Sequence, residues 1–310
     1  MPQHPPTRPG GARTIIVVAL AFALLMSAGV GLGAILFGTP RKKVYQRETP
    51  EQLLAAARDM VANNDAERLS ELIIAENEHM RAALDRFGAA LGRLQDLAAT
   101  VNETFPKEVA ELKAQAQSEA AKGRGAGFLR SMVMGGPRGP RRDQEPDSET
   151  DSAMNAVLQS LAADPYGWLT DNEQRLGFTT IDDERVALTF DGKPVLAPIG
   201  LVLQKRDGQW GMVAPMRLPM LARYMPQTPE EYAIWGSLFQ IADNAISDLD
   251  ADVRAGKVAS LDGLSHAAGQ KAFVPMGMAM IAYERAMADR RRRAREAAPT
   301  PPAQPPSQGG

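Results

Sequence analysis

Among the side chains most used for metal ligation and nucleophilic attack, this 310-residue chain has three histidines, His4, His79 and His266, and no cysteine. The missing thiols exclude disulfides, thiolate zinc sites, iron–sulfur clusters and a cysteine nucleophile. Three imidazoles scattered over the chain do not make a multi-histidine metal centre. Carboxylates are left, and two acidic groups are close in sequence: Asp182-Asp183-Glu184 and Asp248-Asp250-Asp252. The first falls at a predicted turn, where acidic residues favour the geometry. The second falls near a helix C-terminus, an electrostatically unfavourable place, without the spacing of a cation-binding loop. Neither lies beside a histidine, and both are read as structural or solvated. The sequence contains no Walker loop, no GxGxxG, no HExxH and no GxSxG. No catalytic residue, metal ligand or cofactor is assigned, and a non-enzymatic protein is expected.

The elements that would position any site begin with an apolar run. Residues 14–37 read TIIVVALAFALLMSAGVGLGAILF, without a charge. As a helix they would span roughly 36 Å, more than the ~30 Å hydrocarbon core of a bilayer. A secretory signal has a shorter apolar region and a small-x-small cleavage site; cutting near Ser27-Ala28-Gly29 would strand an apolar stub. An uncleaved transmembrane helix is therefore expected, with the lipid bilayer as its partner. Residues 1–13 would be a tail. Basic residues flank the run on both sides, and the body is placed outside the cytoplasm. Gly29 and Gly33 form a GxxxG pair that would allow close helix–helix approach. A net charge of −2 argues against a nucleic-acid partner.

Residues 48–121 read as helical. Thr49-Pro50-Glu51-Gln52 combines a cap, a proline suited to the first helical position and a capping-box glutamine. A long second helix follows from Ile73, Met80, Leu84, Phe87, Leu91, Leu94, Ala98, Val101 and Phe105, which alternate by four and three apart from a gap at Asn77. Two readings stand for this stripe: an intermolecular coiled coil through Leu84, Phe87, Leu91 and Leu94, or an amphipathic hairpin packed inside the monomer. Residues 122–152, rich in Gly, Pro and charge, form a predicted disordered linker.

Residues 153–226 carry the strand signals. Runs at 175–181 and 185–190, then 199–205 and 209–213, alternate in polarity, and Asp207-Gly208 marks a tight hairpin. The capped helix TPEQLLAAARDMVANNDAERL, followed later by GLVLQKRDGQWGMV, resembles NTF2-like (cystatin-like) envelope domains. That resemblance implies an α+β fold in which helices pack on a small curved antiparallel sheet. It also implies a pocket between the two layers, lined by Trp168, Phe190, Leu203 and Trp210, residues whose ordinary role is core packing.

Residues 227–296 are read as C-terminal helices. Thr228-Pro229-Glu230-Glu231 repeats the earlier capping box, and Gly256 ends that helix. A broken helical region follows from Ser260. In it Phe273, Met276, Met278, Met280, Ile281 and Met287 are taken as core filling. Arg290 to Arg293 suit a helix C-terminus, and residues 297–310 form a Pro-rich tail. The sequence thus predicts a single-pass, membrane-anchored envelope protein that self-associates or scaffolds other proteins. The alternatives are a pocket for a small apolar ligand and, ranked last, a carboxylate-based hydrolase or isomerase.

Overall fold

The structure is a computed structural model that describes residues 43–111, 114, 173–194, 201–214, 222 and 224–297. The expected membrane helix 14–37 with Gly29 and Gly33, the linker 122–152, Trp168 and the tail after 297 lie outside the described residues. Among the described residues no helix is long and apolar enough to cross a membrane.

Helix α1 spans Pro50–Ala62 and starts as the capping box requires, with Thr49 Oγ1 accepting from the Gln52 N–H. The Gln52 side chain accepts from Glu48, one residue before the cap. A 3-10 turn, Ala66–Leu72, and a two-residue strand β1, Ile73–Ile74, follow. Helix α2 then runs from Glu78 to Thr104, capped by Asn77, whose side chain accepts from the Met80 N–H. The gap at Asn77 in the apolar spacing is therefore a helix start. Ile73, expected in the long helix, belongs to a strand instead, because Asn77 takes extended backbone geometry and uses its side chain as the cap.

Strands β2 (Leu176–Asp182), β3 (Arg185–Phe190), β4 (Lys193–Pro194), β5 (Leu201–Arg206) and β6 (Gln209–Val213) complete one sheet of order β1-β6-β5-β3-β2, with β4 beside β3. The hairpin turns at Asp191-Gly192 and Asp207-Gly208 both hold their two residues at positive φ, the geometry for which Asp-Gly is suited. All pairings are antiparallel except β1 with β6, which is parallel. The sheet is mixed, not purely antiparallel as expected, because Ile73 and Ile74 reach it from the helical half of the chain.

Helix α3 spans Pro229–Arg254 and α4 spans Leu261–Glu296. The second TPEE box repeats the first: Thr228 Oγ1 accepts from the Glu231 N–H, and Glu231 Oε2 accepts from Gln227. Gly256, at positive φ, follows the end of α3. The region after Ser260 is one continuous helix that contains Pro275, not a broken one. Helix α3 packs along α2, and α4 folds back against α3.

One core joins both halves of the chain. Leu53, Met60, Leu72, Ile73, Leu84, Phe87 and Leu91 pack with Val186, Leu203, Trp210 and Tyr232. A smaller cluster, Leu97, Val101, Phe105, Leu249, Val253 and Val258, closes the far end of the helices. Close approach sets residue size at two places. A Cβ on Gly88 would strike the Glu67 carbonyl and the Ser70 side chain, and one on Gly211 would lie 2.6 Å from Ile74 Cγ1.

Candidate functional site

Of the four residues expected to line a pocket, Leu203 and Trp210 are buried in the main core. Phe190 lies farther along the sheet. Val186 is the residue of β3 that faces Leu203, and Phe190 sits on the same face nearer the β4 end. Its ring is half-buried, with the Arg175 guanidinium 4.2 Å above the centroid. The structure therefore brings Leu203 and Trp210 together as packing, and Phe190 does not join them.

A concave surface lies elsewhere. An open groove of about 420 Å³ is bordered by Arg47, Glu71, Ile74, Arg81, Arg206 and Trp210, among others. Its arginines arise from the short β1. A two-residue strand leaves neighbouring carbonyls without ladder partners. Arg47 donates to Glu71 O at 2.7 Å, Arg81 to Ile73 O at 3.0 Å, and Arg206 to Ala75 O at 3.1 Å. Burial pulls the Arg47 pKa below its ordinary value, against the opposing pull of Glu71. Glu71, Glu78 and Asp207 balance the three cations along the same wall. The groove selects neither sign of charge, and its guanidinium groups hold a chain segment in place.

A buried polar cluster ties α3 to α4. Glu231 is fully buried, and its Oε2 accepts from Arg290 Nη1 at 2.7 Å. Arg290 also donates to Met225 O, while the Tyr283 hydroxyl donates to Tyr224 O at 2.8 Å. Burial, reinforced by the Glu231 charge, pushes the Tyr283 phenol above its ordinary pKa. A carboxylate beside a phenol could move a proton, but both groups are closed in packing, and neither borders the groove. The arrangement fastens residues 224–227 onto the helices. Sequence reasoning saw Glu231 as a cap, and nothing distinguished Arg290 within its arginine run.

The acidic groups are paired structurally. Asp182 bonds Arg185 within the β2–β3 turn. Asp250 meets Arg254 at 2.7 Å, and Asp252 meets Lys271 at 2.9 Å and Lys257 at 3.1 Å. Bonds to Lys271 and Lys257 lower the Asp252 pKa. Burial raises that of Asp250, but bonds from Arg254 and Thr100 outweigh it, and the net shift is downward. These cations offset the unfavourable charge at the end of α3. Among the described residues no group of three or more His, Asp or Glu could hold a metal ion.

The residues expected to associate helices show the reverse of one reading. Leu84, Phe87 and Leu91 are buried inside the chain and Leu94 is half-buried, because α3 and the 3-10 turn cover that face of α2. The stripe makes an intramolecular contact with α3 and the 3-10 turn.

Among the described residues, four of the six large apolar side chains that stand exposed are on α4, the others being Val44 and Ile181. Phe273 is 78% exposed, Val274 66%, Met278 66% and Ile281 48%. In this helix Tyr283, Ala286 and Met287 face the core, and Met276 and Met280 are half-buried. Core filling, expected for the whole apolar set, holds for Met287 and fails for Phe273, Met278 and Ile281. Successive residues turn about 100° along a helix, so these side chains point away from the face that packs on α3. The four residues expose on the order of 400 Å² of apolar surface, within the roughly 300–600 Å² range of the largest patches on monomers, which are often functional. The chain matches no protein-family model, no curated protein and no solved structure.

Proposed function

We propose that this protein is a bilayer-tethered, non-enzymatic envelope protein whose folded body mediates self-association or scaffolds other proteins. The observation that carries the reading is a core filled by its own apolar residues beside a helix face of Phe273, Val274, Met278 and Ile281 that stands exposed among the described residues. Free energy favours covering such a face, and a second macromolecule is the ordinary means. The uncharged residues 14–37 support the tether, and holding copies in one plane raises their encounter frequency. An apolar-ligand pocket has less support, because Leu203 and Trp210 fill the core. The NTF2-like resemblance adds a sheet-and-helix architecture to this proposal but no partner.

The test is the mass of the full chain solubilised in mild detergent, measured beside a chain lacking residues 1–40. Assembly of more than one copy, or stable co-purification with a defined partner, is the expected outcome. A monomer without partners in both forms would contradict the reading.

A further inference from the structure

The uncovered face of α4 has a pattern that decides between occupants. Along it lie His266, Gln270, Phe273, Val274, Gly277, Met278, Ile281 and Glu284, all exposed. A Cβ on Gly277 would meet nothing within 4 Å, so the helix has a notch beside its largest exposed side chain. Two copies related by a two-fold axis and packed antiparallel pair residues on the same lateral side of the stripe and at opposite heights. With the axis crossing near Pro275 and Met276, the ring of Phe273 faces the notch at Gly277 of the other copy. Val274 then faces Met278, and Gln270 faces Ile281. His266 faces Glu284; its Nε2 accepts from Gln270 Nε2 of the same chain at 3.0 Å, which leaves Nδ1–H to donate to that carboxylate.

Under this one operation large meets small at Phe273 and Gly277, apolar meets apolar at Val274 and Met278, and His266 lies opposite Glu284, while Gln270 sets a polar side chain against Ile281. We infer that the α4 face is an isologous antiparallel dimer interface, and that its occupant is a second copy of this chain. This rests on the self-association reading above and supplies its surface.

The position of the face also favours a copy over the bilayer. Tyr45 bonds Asp65, and Arg47 bonds Glu71 and Gln209, so residues 45–47 run over the 3-10 turn and β6. Helix α2 packs on that turn, α3 on α2, and the middle of α4 on α3. The exposed stripe therefore lies on a different element from those that hold Tyr45 and Arg47. Two stripes together bury on the order of 800 Å² of apolar surface. Stable specific interfaces bury at least ~1,200 Å² of total surface, polar rim included, so an apolar contact of this size makes a reversible dimer that depends on concentration.

The chain has no native cysteine, so single cysteines report contacts cleanly. The experiment uses the full chain in detergent, with Val274→Cys, Gly277→Cys, His266→Cys and Glu284→Cys made separately and oxidised under mild conditions. The antiparallel pair predicts crosslinked dimers for V274C alone and for G277C alone, which lie near the axis. It predicts none for H266C or E284C alone, and a heterodimer when those two are mixed. Phe273→Glu, at an exposed position, should keep the circular dichroism of the parent and abolish the concentration-dependent dimer. Crosslinking of H266C to itself would mean a parallel pair or an axis at another height, and either overturns the assignment. If the chain assembles, but V274C and G277C stay uncrosslinked and F273E still assembles, association lies elsewhere; this inference then falls while the functional reading stands. If a fluorophore at position 274 is shielded by lipid vesicles while the chain stays monomeric, the occupant is the bilayer, and the inference is likewise overturned. A monomer without partners under every condition removes both.

Discussion

Helices α2 and α4 carry similar apolar stripes with opposite fates. On α2, Phe87 and its neighbours lie under α3 and the 3-10 turn; on α4, Phe273 and its neighbours face water. The glycines follow the same division. Gly88 is pressed against Glu67 and Ser70, and Gly92 lies close to Glu67, whereas Gly269 and Gly277 have nothing within reach of an added methyl group. Apolar periodicity therefore identifies a helix with one sticky face. What covers that face is decided by contacts with distant segments, or by another molecule.

The first way to break the comparison is to truncate the two phenylalanines. Phe87→Ala should lose ~3–5 kcal/mol of unfolding free energy, as a buried aromatic does, while Phe273→Ala should stay within about 0.5 kcal/mol in the monomer. Chemical denaturation at low protein concentration measures both, and equal losses would erase the distinction. Removing Arg290 tests a different attachment. Arg290→Ala leaves the buried Glu231 carboxylate without its cation, and a loss of ~3–5 kcal/mol is expected, with residues 224–227 becoming open to proteolysis. An unchanged melting curve would contradict the clamp.

The glycines sharpen the contrast. Gly88→Ala forces its methyl group into Glu67 and should cost ~1–3 kcal/mol. Gly277→Ala removes a helix-weakening residue at an open position and should stabilise the monomer by up to about 1 kcal/mol while weakening the dimer, because the notch is filled. Thermal melts and sedimentation separate those two effects.

The smallest expected effect is electrostatic. Asp250 and Asp252, paired near the junction of α3 and α4, have pKa values lowered by folding. Their contribution is present above the unfolded carboxylate value of about 3.9. It is lost as the pH falls through the lower folded values. Lys271→Ala should flatten that acid-side slope slightly, and melts at a series of acidic pH values would show it. An unaltered slope would mean that the exposed pairs contribute nothing.

Much of the fold was legible because it is local. Thr49-Pro50 and Thr228-Pro229 announce their helices through caps, and Asp207-Gly208 announces its hairpin through two positive φ angles. What was illegible is non-local. Ile73 fits the α2 spacing, yet pairs with Met212 in a parallel ladder that no neighbouring residue signals. Leu203 and Trp210 suit a pocket or a core equally well until the helices over them are placed. Arg290 and Arg292 look alike in sequence, but one bonds buried Glu231 and the other pairs with Asp289 on the surface. The spacing Gly88-Gly92 was a usable signal for close approach, since two glycines four apart share one face of a helix.

Methionine oxidation tests the central contrast directly, because Met80 lies in the α2 core and Met278 on the α4 face. The full chain is exposed to dilute peroxide over a wide protein-concentration series, and each methionine is quantified by peptide mass spectrometry. The expected result is a Met80 protected throughout and a Met278 that oxidises quickly in dilute protein and becomes protected as copies pair. A Met278 as slow as Met80 at the highest dilution would show the face already covered within one chain, and one that oxidises quickly at every concentration would show that no second copy covers it.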